Sequence, residues 1–160
     1  MTTSLNQRFL LALRLLLAWV FLYAASHQVL DPAFSIVGFL NSTKTFHGVY
    51  AMVTGPSVAP VVGFLVAYGH LAIGLSLLSG LLVRFSAPCG AAILMLYWMA
   101  HMDFPYISDT NNFLVDYHII YAVTLIYLTV NQAGKVWGLD AYVGKLGFVE
   151  NSQFLKTVFA

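Results

Sequence analysis

Apolar residues run along this chain in four long blocks separated by short polar breaks. The blocks cover residues 9–29 (FLLALRLLLAWVFLYAASHQV), 58–82 (VAPVVGFLVAYGHLAIGLSLLSGLL), 85–102 (FSAPCGAAILMLYWMAHM) and 112–131 (NFLVDYHIIYAVTLIYLTVN). A helix crossing the hydrocarbon core needs about 20 mostly apolar residues, so the pattern predicts four membrane spans. The breaks have matching chemistry. Asp31-Pro32 ends the first block, because proline disfavours helix in the residue before it. Gly55-Pro56 precedes the second, Val83-Arg84 makes a tight polar turn before the third, and DFPYISDTNN separates the third from the fourth.

Two stretches fall outside the blocks. AFSIVGFL and FHGVYAMV, within residues 33–54, are apolar but too short to span, with NSTK between them. They are expected to form an outer cap or a re-entrant segment, the latter only where protein shields its backbone. Residues 139–160 offer Asp140 as a helix N-cap and then mix aromatics with lysines, the composition of an interfacial helix. The predicted fold class is therefore an all-α integral membrane protein. It has a four-transmembrane-helix domain over 1–138, carrying the cap, and an interfacial tail over 139–160. Arg8 ahead of the first block and Ala24-x-Ser26 within it resemble a signal peptide, but the length of the block and Arg14 inside it favour a retained span.

Composition strengthens this reading. Of 160 residues, 60% are hydrophobic and only 8% charged, against about 25% charged in a soluble domain. The net charge of +1 gives no basic field for nucleic acid. With four spans, Arg8, Arg84, Lys135, Lys145 and Lys156 share one side. Lys44, Asp31, Asp103 and Asp109 share the other. Basic residues stay on the cytoplasmic side, so both termini are expected to be cytoplasmic, in a plasma membrane. The single thiol, Cys89, can form neither an internal disulfide nor a C-x-x-C redox pair. Met95, Met99 and Met102 follow helical spacing and read as core rather than as copper ligands, and no metal site is expected.

Ionisable groups inside spans cost about 2.5–3.5 kcal/mol each for Arg, Lys or Asp at a helix centre, so their depth carries information. Asp116 and His118 fall in the outer third of the fourth block, His101 at the outer end of the third, and His27 at that of the first. His70 lies near the middle of the second. Arg14 is the lone buried charge of the inner half. Helical phase puts Gly90, Leu94, Tyr97 and His101 on one face of the third helix. On the fourth it puts Asn112, Asp116, Val123 and Tyr127 on one face and His118 with Tyr121 on another. Two residues turn a helix by about 200°, so Asp116 and His118 are expected to meet different neighbours. Ala72, Ser76 and Gly80 form a small-xxx-small stripe for close packing. Histidine titrates near neutral pH. Imidazoles and a carboxylate converging at one depth can therefore bond the oxygens of a membrane quinone and pass protons, with Tyr97 and Tyr121 as walls. The same imidazoles could instead ligate haem b.

Three blocks carry a family resemblance: RLLLAWVFLYAASHQVLDP, YGHLAIGLSLLSGLLVRFSAPCGAAILMLY and NNFLVDYHIIYAVTLIYLTVNQAGKVWGLD. Over most of residues 8–142 the chain resembles the DoxX/DoxD family of small four-span membrane proteins. The last block, with its D-x-H and closing G-L-D, is most similar to the DoxD branch. The resemblance implies the membrane subunit of a thiosulfate:quinone oxidoreductase. Such a subunit works with a second, DoxA-like subunit to oxidise thiosulfate to tetrathionate and pass electrons to a membrane quinone. It carries over Arg14, Arg84, Asp116, His118 and Asp140. The expected site comprises Asp116, His118, His101 and His70 as catalytic groups. His70, His101, His118, Tyr97, Tyr121 and Arg14 are expected around the cofactor. The alternatives are an accessory subunit docked to respiratory oxidase subunits, a haem b protein, or a small transporter.

Overall fold

The structure, a computed structural model, describes residues 4–107 and 109–159, without the side chain of Asp109. It is mainly helical. Helix α1 (Leu5–Val29) starts from a capping box, in which the Ser4 hydroxyl accepts from the Gln7 N–H and the Gln7 amide oxygen accepts from the Ser4 N–H. Two short helices follow, α2 (Val37–Asn41) and α3 (His47–Ala51), then α4 (Ala59–Ser79), with a proline in its first turn, and α5 (Val83–His101). Helices α1, α4 and α5 are long and apolar enough to cross a membrane.

Beyond α5 the chain departs from an all-α fold. Strands β1 (Met102–Asp103), β2 (Tyr106–Ile107) and β3 (Asp109–Phe113) form an antiparallel sheet in the order β1-β2-β3. Helix α6 (Tyr117–Val130) therefore starts five residues later than its apolar block and has 14 residues, about 21 Å of helix. Hydropathy marks where the chain is apolar, and Phe113-Leu114-Val115 is apolar whether extended or helical. Leu114 takes a left-handed φ of 57°, which stops any helix from running through it. A 3₁₀ turn (Ala133–Lys135) and three short helices, α7 (Asp140–Val143), α8 (Gly147–Glu150) and α9 (Gln153–Phe159), replace the single tail helix expected over 139–160.

Helix α1 packs chiefly on α4 and α5 on α6, and the four share one core. Phe21, Ile73, Leu77, Ala87, Ala91, Leu94, Leu125 and Leu128 are buried in it. Gly90 lies at its centre, where an added Cβ would come within 3.1 Å of both Leu125 and Phe21. The close approach of α4 to α1 is at Gly74, where a Cβ would lie 2.7 Å from Leu22. This corrects the stripe Ala72–Ser76–Gly80: Ala72 is exposed, and Ser76 is bonded to Ser86 and to the Leu81 carbonyl. A second cluster joins Ile36, Leu40 and Tyr50 of the segment between α1 and α4 to Ala100 of α5, with Val62, Val66 and Met99 against it. The Tyr50 hydroxyl donates to the Leu96 carbonyl, and burial holds the Tyr50 phenol above its ordinary pKa.

At the end of the bundle that holds the start of α1, Arg14 is 1% exposed. Its Nη1 donates to the carbonyls of Ala133 (2.6 Å) and Val136 (2.9 Å), and its Nη2 to that of Trp137 (3.4 Å). The segment it grips returns to the α4–α5 turn. The Leu139 and Asp140 N–H groups donate to the carbonyls of Ser79 and Gly80. The Asp140 carboxylate accepts from the N–H groups of Leu82 (2.7 Å) and Val83 (3.2 Å). That turn needs support, because Leu82 is held at a φ of 60°, a left-handed conformation costly for a side chain. Gly80 and Gly138 leave no room for a Cβ: one on Gly80 would lie 2.5 Å from Gly138 and 2.7 Å from Arg14. Burial raises the pKa of Asp140, opposed by the two N–H donors and by the charges of Arg14 and Lys135.

Candidate functional site

The opposite end of the bundle holds the histidines. His70 sits on the inner face of α4, His101 ends α5 and His118 opens α6. His70 and His118 are each 4% exposed. Tyr97 stands between them. Its ring stacks on His70 at 5.6 Å and 8°, and lies 6.1 Å from His118. His101 stacks on His118 at 5.1 Å, and Tyr117 stacks on the same ring at 4.1 Å. Phe39 of α2 packs on both Tyr97 (5.5 Å) and His101 (5.3 Å). Three imidazoles from three helices thus form one chain of ring contacts.

Each imidazole is tied in the same way. Nδ1 of His70 meets the Val66 carbonyl at 2.8 Å, and Nδ1 of His101 meets the Tyr97 carbonyl at 2.8 Å. Nδ1 of His118 meets Oδ2 of Asp116 at 2.7 Å. A carbonyl only accepts, so Nδ1 carries the proton in His70 and His101, and the carboxylate selects the same tautomer in His118. Nε2 of each ring is then left as an acceptor, or as a donor once the ring is protonated.

The bond between Asp116 and His118 corrects the expectation that they face different neighbours. That expectation assumed a helix through both residues. Asp116 is the N-cap of α6, with extended backbone (φ −132°, ψ −170°). From there its Oδ1 accepts the His118 N–H at 3.0 Å while Oδ2 reaches back to the ring. The inward face of α6 is correspondingly His118, Ala122, Leu125 and Leu128, and Val123 and Tyr127 are exposed.

These groups line a cavity of about 340 Å³, walled by Gln28, Phe39, Val66, Tyr97 and Tyr117 and by all three histidines. Tyr117 forms its rim, 54% exposed. Gln28 meets the Tyr97 hydroxyl, and its carbonyl oxygen is buried without a partner among the described residues. Such an atom is costly unless something donates to it. His101 also lines a second cavity, of about 370 Å³, that holds Lys44 and Asp103, themselves 2.5 Å apart.

Of the expected site residues, His70, His101, His118, Asp116 and Tyr97 are together. Tyr121 is half-buried, one turn further along α6, beside Tyr117. Arg14 is at the far end, holding carbonyls. Asp140 is there too, and Arg84, exposed, is the second residue of α5. His27 points outward against Tyr23, with its Nδ1 3.0 Å from the Tyr23 carbonyl. The residue α1 sends to the cavity is Gln28. A sequence signal for it existed, because the buried stripe Arg14, Leu17, Phe21, Ala25 continues at 28, not 27. Phe39 carried no such signal, since α2 is too short to show a period.

Neither a search of curated proteins nor a search of solved structures finds a match to this chain. The DoxX family model matches residues 9–102, from the first turns of α1 to the end of α5. Together with three helices able to cross a bilayer, this makes the molecule a membrane protein. The chain belongs to the DoxX family.

Proposed function

We propose that this protein is the membrane subunit of a quinone-linked oxidoreductase, with the quinone head group held among His70, Tyr97, His101 and His118. The observation that carries this reading is the set of three imidazoles fixed through Nδ1 around one aromatic-walled cavity, with the orphaned Gln28 oxygen beside them. A quinone supplies a flat ring, two carbonyl oxygens and a capacity for two electrons and two protons. A neutral imidazole accepts a hydrogen bond from a hydroxyl at Nε2, and an imidazolium donates one to a carbonyl. Asp116 fixes the orientation of His118 and balances its charge when it is protonated. His101, stacked on His118 and lining the second cavity, relays a proton inward to His118 to replace each one the quinone takes up.

The same rings fit haem b poorly. His101 and His118 are stacked on each other and Tyr97 fills the interval to His70, so none of the three imidazoles faces another across open space.

In this reading α6 is a fourth, short span, the sheet and the segment 33–54 lie on the outer face, and both termini are cytoplasmic. Basic residues at the Arg14 end support that orientation. Electrons come from a partner subunit of DoxA type, with thiosulfate as donor approaching from the outer face. His118→Gln removes the group that exchanges the proton, and quinone reduction by the folded variant is expected to fall by about 10²-fold. Normal turnover by the folded variant would remove the site. Thiosulfate-dependent reduction is measured separately in membranes holding both subunits. Its absence, with another donor active, would replace the donor and leave the site standing.

A further inference from the structure

A third cavity, of about 370 Å³, lies in the C-terminal segment, at the Arg14 end. Lys135 of the 3₁₀ turn, Lys145 after α7 and Lys156 of α9 reach it from three separate elements, around Gly144 and Val149. Asp140 is the only acid in its lining among the described residues. That carboxylate is already occupied: its two oxygens accept the Leu82 and Val83 N–H groups, and it shares its charge with Arg14 as well as Lys135. Lys145 and Lys156 make no ion pair among the described residues. All three lysines are exposed, so an anion entering the hollow would meet three ammonium groups at once.

The surroundings indicate which anion. Tyr142 (73% exposed), Phe148 (62%) and Phe154 (74%), one on each of the three short helices around the cavity, expose three large rings within one short segment. Aromatics beside lysines at the end of a membrane bundle sit at the depth of headgroups, with rings toward the acyl chains and ammoniums toward phosphate.

We propose that Lys135, Lys145 and Lys156 form a binding site for the phosphate headgroup of an anionic phospholipid, whose chains lie against Tyr142, Phe148 and Phe154. The site docks the C-terminal segment on the bilayer. It is independent of the quinone cavity at the other end.

The test uses the full chain in nanodiscs or micelles, with thermal stability and lipid retention in native mass spectrometry as readouts. Phosphatidylglycerol is expected to be retained and to raise Tm over phosphatidylcholine. Lys135→Gln, Lys145→Gln and Lys156→Gln together are expected to reduce that preference by about tenfold or more. Arg8→Gln, an exposed basic residue outside the cavity, should keep it. Should the triple variant not fold, Lys156→Gln alone carries the test, with about a fivefold loss expected. Equal retention of the two lipids, an undiminished preference in the lysine variants, or an equal loss in Arg8→Gln would overturn the proposal. Stabilisation by inorganic phosphate matching that by phosphatidylglycerol would also overturn it, pointing to a free anion instead.

Discussion

Asp116 does two things at the start of α6, and they can be separated. Its Oδ1 caps the helix and its Oδ2 holds the His118 ring. Asparagine keeps a cap oxygen but loses the charge, whereas alanine loses both. Removing an N-cap costs about 1 kcal/mol. Asp116→Ala is therefore expected to lower both stability and quinone reduction, and Asp116→Asn to lower quinone reduction at nearly unchanged stability. Denaturant unfolding in detergent, run beside the activity assay, checks this. Equal stability losses in the two variants would contradict the capping role. That His70, His101 and His118 fall in the same half of the bundle was legible in the sequence, because position along a helix follows from residue count. Their tautomers were not, since Val66 and Tyr97 offer carbonyls only once α4 and α5 have formed. Nor was the Asp116–His118 bond, which exists because the helix begins one residue after the acid.

Among the elements, the apolar blocks located α1, α4 and α5 to within a few residues at most boundaries. Their ends have local causes: the Ser4 capping box, the left-handed Gly80 and the Leu82 turn. Helix α6 and the sheet were misjudged where β-compatible and helix-compatible apolar residues look alike. The family resemblance drew attention to Arg14 and Asp140, but their role appears only when the tail folds back on the α4–α5 turn. The pairing of α1 with α4 rests on Gly74. In Gly74→Ala, better helix propensity is worth up to about 1 kcal/mol. The new methyl would meet Leu22, including its backbone nitrogen at 3.0 Å, so α1 itself must move. Overpacking of that kind costs about 1–3 kcal/mol and should win, for a net loss of about 1 kcal/mol in unfolding experiments. A stabilised variant would contradict the close approach.

The whole molecule divides its polar residues between two ends. One end is a latch, where Arg14 and Asp140 satisfy backbone groups of a turn and a tail and contact no cavity histidine. The other is a hollow, where rings and imidazoles surround space. Sequence alone shows that both ends hold buried polar groups. It does not separate groups that saturate the chain's own backbone from groups left facing a cavity, because that difference is made by tertiary contacts. The central claim is that the hollow takes a quinone head group, and photolabelling of the purified protein with an azido-quinone tests it most directly. The account predicts label on the peptides holding Gln28, Phe39, Tyr97 and Tyr117, competed away by unlabelled quinone and reduced in His118→Gln. Label confined to the Arg14 end, or label at the histidines that quinone fails to displace, would contradict it.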